Sequence, residues 1–308
     1  MQLPKYSLLL PVRNEVSRIG GIVHAIFEDL KTIGDWEIFF GDDFSDDGTY
    51  ECLLKLAQEF DFRLIHPPKN IGRGAIRNLL AHEARAPMLV FLDGDCRVQT
   101  GFFKAWENTS PTIAYLGRVN YELLPKSGFS NFLSTGSGIG KLGPKDKIPP
   151  AYFISQNFCL SKTIFDKVNG FRTDLSGWGG EDVDLGYKLL KMGVPISYNL
   201  NAIVQHPSVI NLEAYFSRLK LFGEANLPVL VSDNWEIGVQ FKLRFARKPW
   251  SWFFCNPVLF RLSYYLITRF KSFYWPFLLY RYATFYCYAC GYNSRPGRDR
   301  LHRTGFSN

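Results

Sequence analysis

The residues best equipped for chemistry lie in Ser176-Gly-Trp-Gly-Gly-Glu-Asp-Val-Asp184. Glycines let a backbone bend sharply and approach a ligand. Trp178 offers a flat face on which a sugar ring can stack. Glu181, Asp182 and Asp184 then open a helical pattern that carries Val183, Leu185, Leu189, Leu190 and Met192 and stops at Gly193. Acids in a first helical turn can simply complement the helix dipole. That does not account for an aromatic among glycines immediately before them. The stretch therefore reads as an acceptor site, with Trp178, Gly179 and Gly180 binding and a carboxylate acting as general base.

A second group is Asp93-Gly94-Asp95. Two carboxylates one residue apart can converge on a divalent cation that also holds a diphosphate. Alone the pattern is weak; its position strengthens it. Tyr6 to Val12, Trp36 to Phe40, Phe62 to Ile65 and Met88 to Leu92 read as buried strands, with helices at 16–30 and about 49–60, and Asn70 to Asn78 leading into another that ends near Arg85. This alternation predicts an α/β domain with a mostly parallel sheet. Asp42, Asp43, Asp93 and Asp95 all fall just after strands, where such sheets bind ligands. Tyr152 to Leu160 reads as a further strand, followed by a helix to Asn169. The glycine- and proline-rich stretch 125–150 reads as a long loop, either a flexible flap over the active site or a disordered connection, and Asn157 as either donor-facing or structural.

Pro11-Val-Arg-Asn-Glu15, Asp42 to Thr49, Asn70 to Asn78 and Asp93-Gly-Asp95, in this order, resemble the family-2 glycosyltransferases of the GT-A fold, a Rossmann-like nucleotide-binding architecture. Gly177 to Asp182 resembles the acceptor motif of β-1,4-galactosyltransferases. The resemblance covers roughly residues 5–210. It implies that Asp42 or Asp43 reads a nucleobase, usually uracil, and that Arg73 and Arg77 lie near the donor's base or phosphates. It places Pro11, Arg13, Glu15 and Gly94 in the donor-binding motifs. It implies that Asp93 and Asp95 hold the metal and the donor ribose, with His206 as the third metal ligand. Asp182 matches the catalytic base and Glu181 its acceptor-hydroxyl partner. An imidazole ligand favours Mn²⁺ over Mg²⁺. The implied reaction is inverting transfer from a nucleotide-sugar, UDP-sugar favoured and GDP- or dTDP-sugars as alternatives, to a glycan or lipid-linked acceptor. A binding module that has lost catalysis is the non-enzymatic alternative. A nucleotidyltransferase is disfavoured, because Pro11-Val-Arg-Asn14 stands where its phosphate loop would.

The catalytic domain is expected at 1–211 and a helical, aromatic and basic region at 212–308. Residues 241–308 carry twelve Lys and Arg against one acid, Asp299, while the rest is slightly acidic. Ser272 to Tyr292 is long enough to span a bilayer, but Pro276, Arg281 and its tyrosines suit the headgroup region better. Membrane association at the cytosolic face is therefore expected, with a homo-oligomer left open. No nucleic-acid module is evident. The Tyr6–Val12 run is too short for a signal peptide. The six cysteines suit reduced thiols, and Cys287-Tyr-Ala-Cys290 lacks the partners of a metal site.

Overall fold

The computed structural model describes residues 3–31, 33–121, 127–133, 148–207, 211–246, 249–270 and 277–294. Residues 125–126 and 134–147 of the expected loop and residues 272–276 of the expected interfacial segment lie outside these. The chain divides into two units. One comprises Met1–Glu122, Pro144–Thr173 and Glu181–Ser208; the other comprises Leu123–Gly143, Asp174–Gly180 and Val209–Asn308.

The first unit is built on β1 (Tyr6–Val12), β2 (Trp36–Asp42), β3 (Arg63–Ile65), β4 (Met88–Leu92), β5 (Arg97–Val98), β6 (Ala114–Tyr121), β7 (Asn157–Ser161) and β8 (Ile196–His206). These form one sheet in the order β3-β2-β1-β4-β7-β6-β8-β5. The strands β3, β2, β1 and β4 are parallel, as the alternating pattern requires. β7 enters antiparallel between β4 and β6, and β5 is antiparallel to β8. The helices are α1 (Val16–Leu30), α2 (Thr49–Leu56), α3 (Arg73–Glu83) and α4 (Phe102–Trp106). In the second unit α5 is Gly128–Asn131; in the first, α6 is Lys162–Lys167 and α7 is Glu181–Lys191.

β1 and β4 are buried on both faces, which is why they read as unbroken apolar runs. Their side chains join α1, β2 and α4 in one core, in which Trp36 stacks on Tyr6 and meets Phe103 edge-on. A buried carboxylate pins the edge of this core. Glu37 accepts from Ser7 Oγ at 2.6 Å, from the backbone N–H of Arg85 at 2.7 Å and of Ala86 at 3.1 Å, and from Arg85 Nε at 3.0 Å. Burial pushes its carboxyl up, but these donors outweigh burial and hold it below the usual range.

The expected strand Tyr152–Leu160 is two pieces. Pro150–Tyr152 is a turn of 3-10 helix, and only Asn157–Ser161 pairs in the sheet. Pro149 and Pro150 start the 3-10 turn, where a missing N–H costs nothing.

The second unit contains α5, α8 (Leu212–Ala225), α9 (Leu227–Asp233), α10 (Trp235–Gln240), α11 (Ser251–Phe254), α12 (Pro257–Arg269) and α13 (Leu278–Ser294). α8 and α13 cross with glycine at the contact. A Cβ on Gly223 would lie 2.1 Å from the Tyr288 carbonyl oxygen, and one on Gly291 would lie 2.1 Å from that of Lys220. Phe129, Phe132, Phe216, Ile267, Tyr280, Ala283 and Cys287 form its core. The apolar residues of α13 are thus spent largely on internal packing. Among the described residues, no helix is long and apolar enough to cross a membrane.

Candidate active site

The loop after β4 is pressed against β1. Gly94 N–H donates to the Pro11 carbonyl at 3.1 Å, and a Cβ at Gly94 would meet that oxygen at 2.4 Å. Only glycine fits, so Pro11 and Gly94 set the position of their neighbours. The Cys96 N–H closes a turn onto the Asp93 carbonyl at 2.9 Å, and this turn splays the two carboxylates apart. Asp93 Oδ1 accepts from Arg77 Nη2 at 2.5 Å. Asp95 Oδ2 faces His206 Nε2 at 3.3 Å, at the end of β8. Of the expected trio of metal ligands, Asp95 and His206 converge and Asp93 is engaged by arginine.

The His206 ring orientation is informative. Its Nδ1 lies 3.0 Å from the Pro207 carbonyl, which can only accept, so Nδ1 carries the proton. Nε2 then has a lone pair that faces an acidic oxygen. A cation or a second proton must reconcile two acceptors at that distance. Asp95 Oδ1 is buried without a hydrogen-bond partner among the described residues. Burial raises the Asp95 carboxyl, His206 lowers it, and Asp93 and Glu15 raise it, for a net upward shift. Such a donor set fits a divalent cation, with Pro207 fixing the imidazole as outer partners of metal-bound histidines do. The Cys96 sulfur lies within 4.8 Å of both groups. Burial holds that thiol protonated, well above its ordinary range, which makes it a poor ligand.

α7 starts at Glu181, and its first-turn acids have divided roles. Asp184 is paired with Lys188 at 2.8 Å. Glu181 is buried, with Arg73 Nη1 at 3.5 Å and Arg77 Nη1 at 3.9 Å. Asp182 is hydrogen-bonded to the buried Ser155 and leaves Oδ1 without a partner among the described residues. A helix N-terminus alone would depress the Asp182 carboxyl. Its carboxyl is instead pushed up to about 7, by burial first and by Glu181 next, against the opposing pull of Arg77 and Ser155. Arg77 is itself buried, lies over the Phe171 ring at 5.3 Å and links the Asp93 loop to Glu181.

The acidic loop after β2 is occupied by its own structure. Asp42 accepts from Ser45 and faces His66 Nδ1 at 2.8 Å, and His66 stacks on Tyr50 with centroids 4.0 Å apart. Asp43 accepts from the N–H groups of Ile71 at 2.7 Å and Gly72 at 3.0 Å and from Asn70 Nδ2 at 3.0 Å. Asp47 caps both α1 and α2, accepting from Val16 N–H at 3.1 Å and Thr49 N–H at 2.9 Å. Glu15 is ion-paired with Arg18 at 2.8 Å, while Arg13 is exposed at the end of β1. Asn157 is wholly buried and donates to the Ala202 carbonyl at 2.9 Å.

Trp178, Gly179 and Gly180 belong to the second unit. Gly177, Gly179 and Gly180 have φ of 69°, 85° and 107°, a region that favours glycine. Asn226, at the corner of α8 and α9, clasps this loop. Its Oδ1 accepts from Ser176 N–H at 3.1 Å, and its Nδ2 donates to the carbonyls of Ser176 at 2.9 Å and Gly179 at 2.7 Å. Sequence reasoning missed Asn226, Ser155, His66 and Cys96. Asn226 leaves one faint signal, an asparagine two residues before Pro228 between two helical patterns.

Residues 7–167 match the model for glycosyl transferase family 2. The chain belongs to that family. Residues 143–207 of this family-2 chain also match the model described as the N-terminal domain of galactosyltransferase. It is 23% identical over 256 residues to validoxylamine A glucosyltransferase of Streptomyces hygroscopicus subsp. jinggangensis, covering 71% of this chain and 59% of that protein. It is 26% identical over 248 residues to mouse polypeptide N-acetylgalactosaminyltransferase 12, covering 72% of this chain and 43% of that protein. The chain thus spans between two fifths and three fifths of these relatives. The mannosyltransferase PcManGT from Pyrobaculum calidifontis, solved in complex with GDP-Man and Mn²⁺, superposes with a TM-score of 0.60. That match has 15% identity and covers 95% of this chain and 86% of that one. The fold is GT-A, with a helical C-terminal region.

Proposed function

We propose that this chain transfers a sugar, with inversion, from a nucleotide-sugar to a hydroxyl of a glycan or lipid-linked acceptor. The observation that carries the reading is Asp182: a carboxylate with one oxygen unpartnered among the described residues and an elevated proton affinity. It is also joined through Glu181 and Arg77 to the Asp93 loop. A general base works best when its pKa lies near the operating pH. Asp182 takes the acceptor proton as the acceptor oxygen forms its bond to the anomeric carbon. The bond from that carbon to the diphosphate oxygen breaks on the opposite face. Glu181, neutralised by Arg73 and Arg77, positions the acceptor hydroxyl.

Asp95 and His206 would hold a divalent cation, Mn²⁺ favoured over Mg²⁺ by the imidazole. Such a cation supplies Lewis-acid neutralisation of the departing diphosphate. UDP-sugar is the favoured donor, on the galactosyltransferase-like motif and the acidic loop. Asp42 or Asp43 would read the base with an oxygen shared with its present donors.

Calorimetric titration of UDP, GDP and dTDP, with and without Mn²⁺, tests this. UDP is expected to bind only with Mn²⁺, and Asp95→Ala is expected to remove that dependence. Metal-independent binding, or none by any of the three, would overturn the metal and donor assignments.

A further inference from the structure

The helix α12 buries one apolar face, and its opposite face mixes apolar and basic side chains. Ser263 and Ile267 are buried, and Phe260 and Tyr264 pack on the core of the second unit. A helix that otherwise meets only water carries polar residues on its opposite stripe. Here Val258, Leu262 and Tyr265, at i, i+4 and i+7, share that stripe with Arg261 and Arg269, and all three apolar side chains are exposed, Val258 by 68%. Just before α12, Trp250, Trp252 and Phe253 are exposed as well, Trp252 by 72%. Surfaces of this kind mark interaction sites.

Charge selects the partner. Between residues 241 and 298 there are ten Lys and Arg and no acid. Arg261 and Arg269 stand on the exposed side of α12. Tryptophan and tyrosine favour the boundary between headgroups and acyl chains, and arginine favours headgroup phosphates. A segment with this excess of like charge is disfavoured from pairing with a second copy of itself.

We infer that the exposed side chains of Trp250, Trp252, Phe253, Val258, Leu262 and Tyr265, with Arg261 and Arg269, dock on a membrane surface rich in anionic lipid. The inference goes beyond the transfer reaction and does not depend on its donor. It places the aromatic side chains at the level of the headgroups, without any span, as interfacial helices do.

Flotation of the full chain with vesicles tests it, comparing phosphatidylcholine alone with phosphatidylcholine mixed with phosphatidylglycerol. The chain is expected to float with the mixed vesicles and far less with the neutral ones. Trp250→Ser with Trp252→Ser, and separately Val258→Ser with Leu262→Ser, should each cut partitioning by about tenfold or more, the effect of losing burial of a large apolar side chain. Arg261→Glu with Arg269→Glu should weaken the preference for anionic vesicles. These side chains are exposed, so the variants should melt like the parent, and thermal denaturation checks this. Three outcomes would overturn the inference: no flotation with either vesicle; binding that survives loss of the aromatic and aliphatic side chains, as for any polyanion; or a sedimenting dimer that the serine variants convert to monomer, which would make the face a contact between copies.

Discussion

Asp182 concentrates the chemistry and its cost. Its carboxyl is raised to about 7, so transfer by the proposed mechanism should fall as pH drops below neutrality. Asp182→Asn should lower kcat by roughly 10²–10⁴-fold and leave nucleotide affinity unchanged, which rate and calorimetric measurements would resolve. Stability should move the other way. An unfolded aspartate titrates near about 3.9, so between that value and 7 the folded form holds a proton that the unfolded form has lost. Stability therefore declines as pH rises through this window. In melts without metal or donor, Asp182→Asn should be more stable than the parent above pH 7, with the difference vanishing near pH 4. Asp182 and Glu181 could be picked out because one contiguous motif holds them. Ser155 and Asn226 could not, because only the folded chain brings them to that motif.

Between elements, glycine separates two situations that look alike in sequence. Gly20 and Gly21 lie within α1 with open space where a Cβ would stand. Replacing either with alanine should stabilise the chain by about 0.5–1 kcal/mol through helix propensity alone. Gly223 and Gly291 lie where α8 and α13 touch through backbone. Alanine there should cost about 1–3 kcal/mol from overpacking, less whatever propensity returns. Thermal denaturation of the four single variants would show opposite signs. The limits of α1 and β4 match the sequence reading because a strong period and clear punctuation define them. The antiparallel insertion of β7 could not be read, since its burial looks the same in either direction.

At the scale of the molecule, charge is segregated along the chain, with the basic excess after residue 241. Attraction of that region to anionic vesicles should weaken steeply as salt rises, because the Debye length shrinks from about 10 Å at 0.1 M to 3 Å at 1 M. The aromatic contribution should persist, so flotation should fall to a plateau in a salt series. The second unit also receives the chain in three separate passages. The short passage Asp174–Gly180 is tied by Asn226, which lies well beyond it in sequence. The tryptophan-bearing loop and the α8–α9 corner are therefore a single heritable trait written in two places. A recombinant that inherits one parent's loop and another parent's helical region would gain the tryptophan and lose the clasp that shapes its backbone. Lineages should exchange these two segments together.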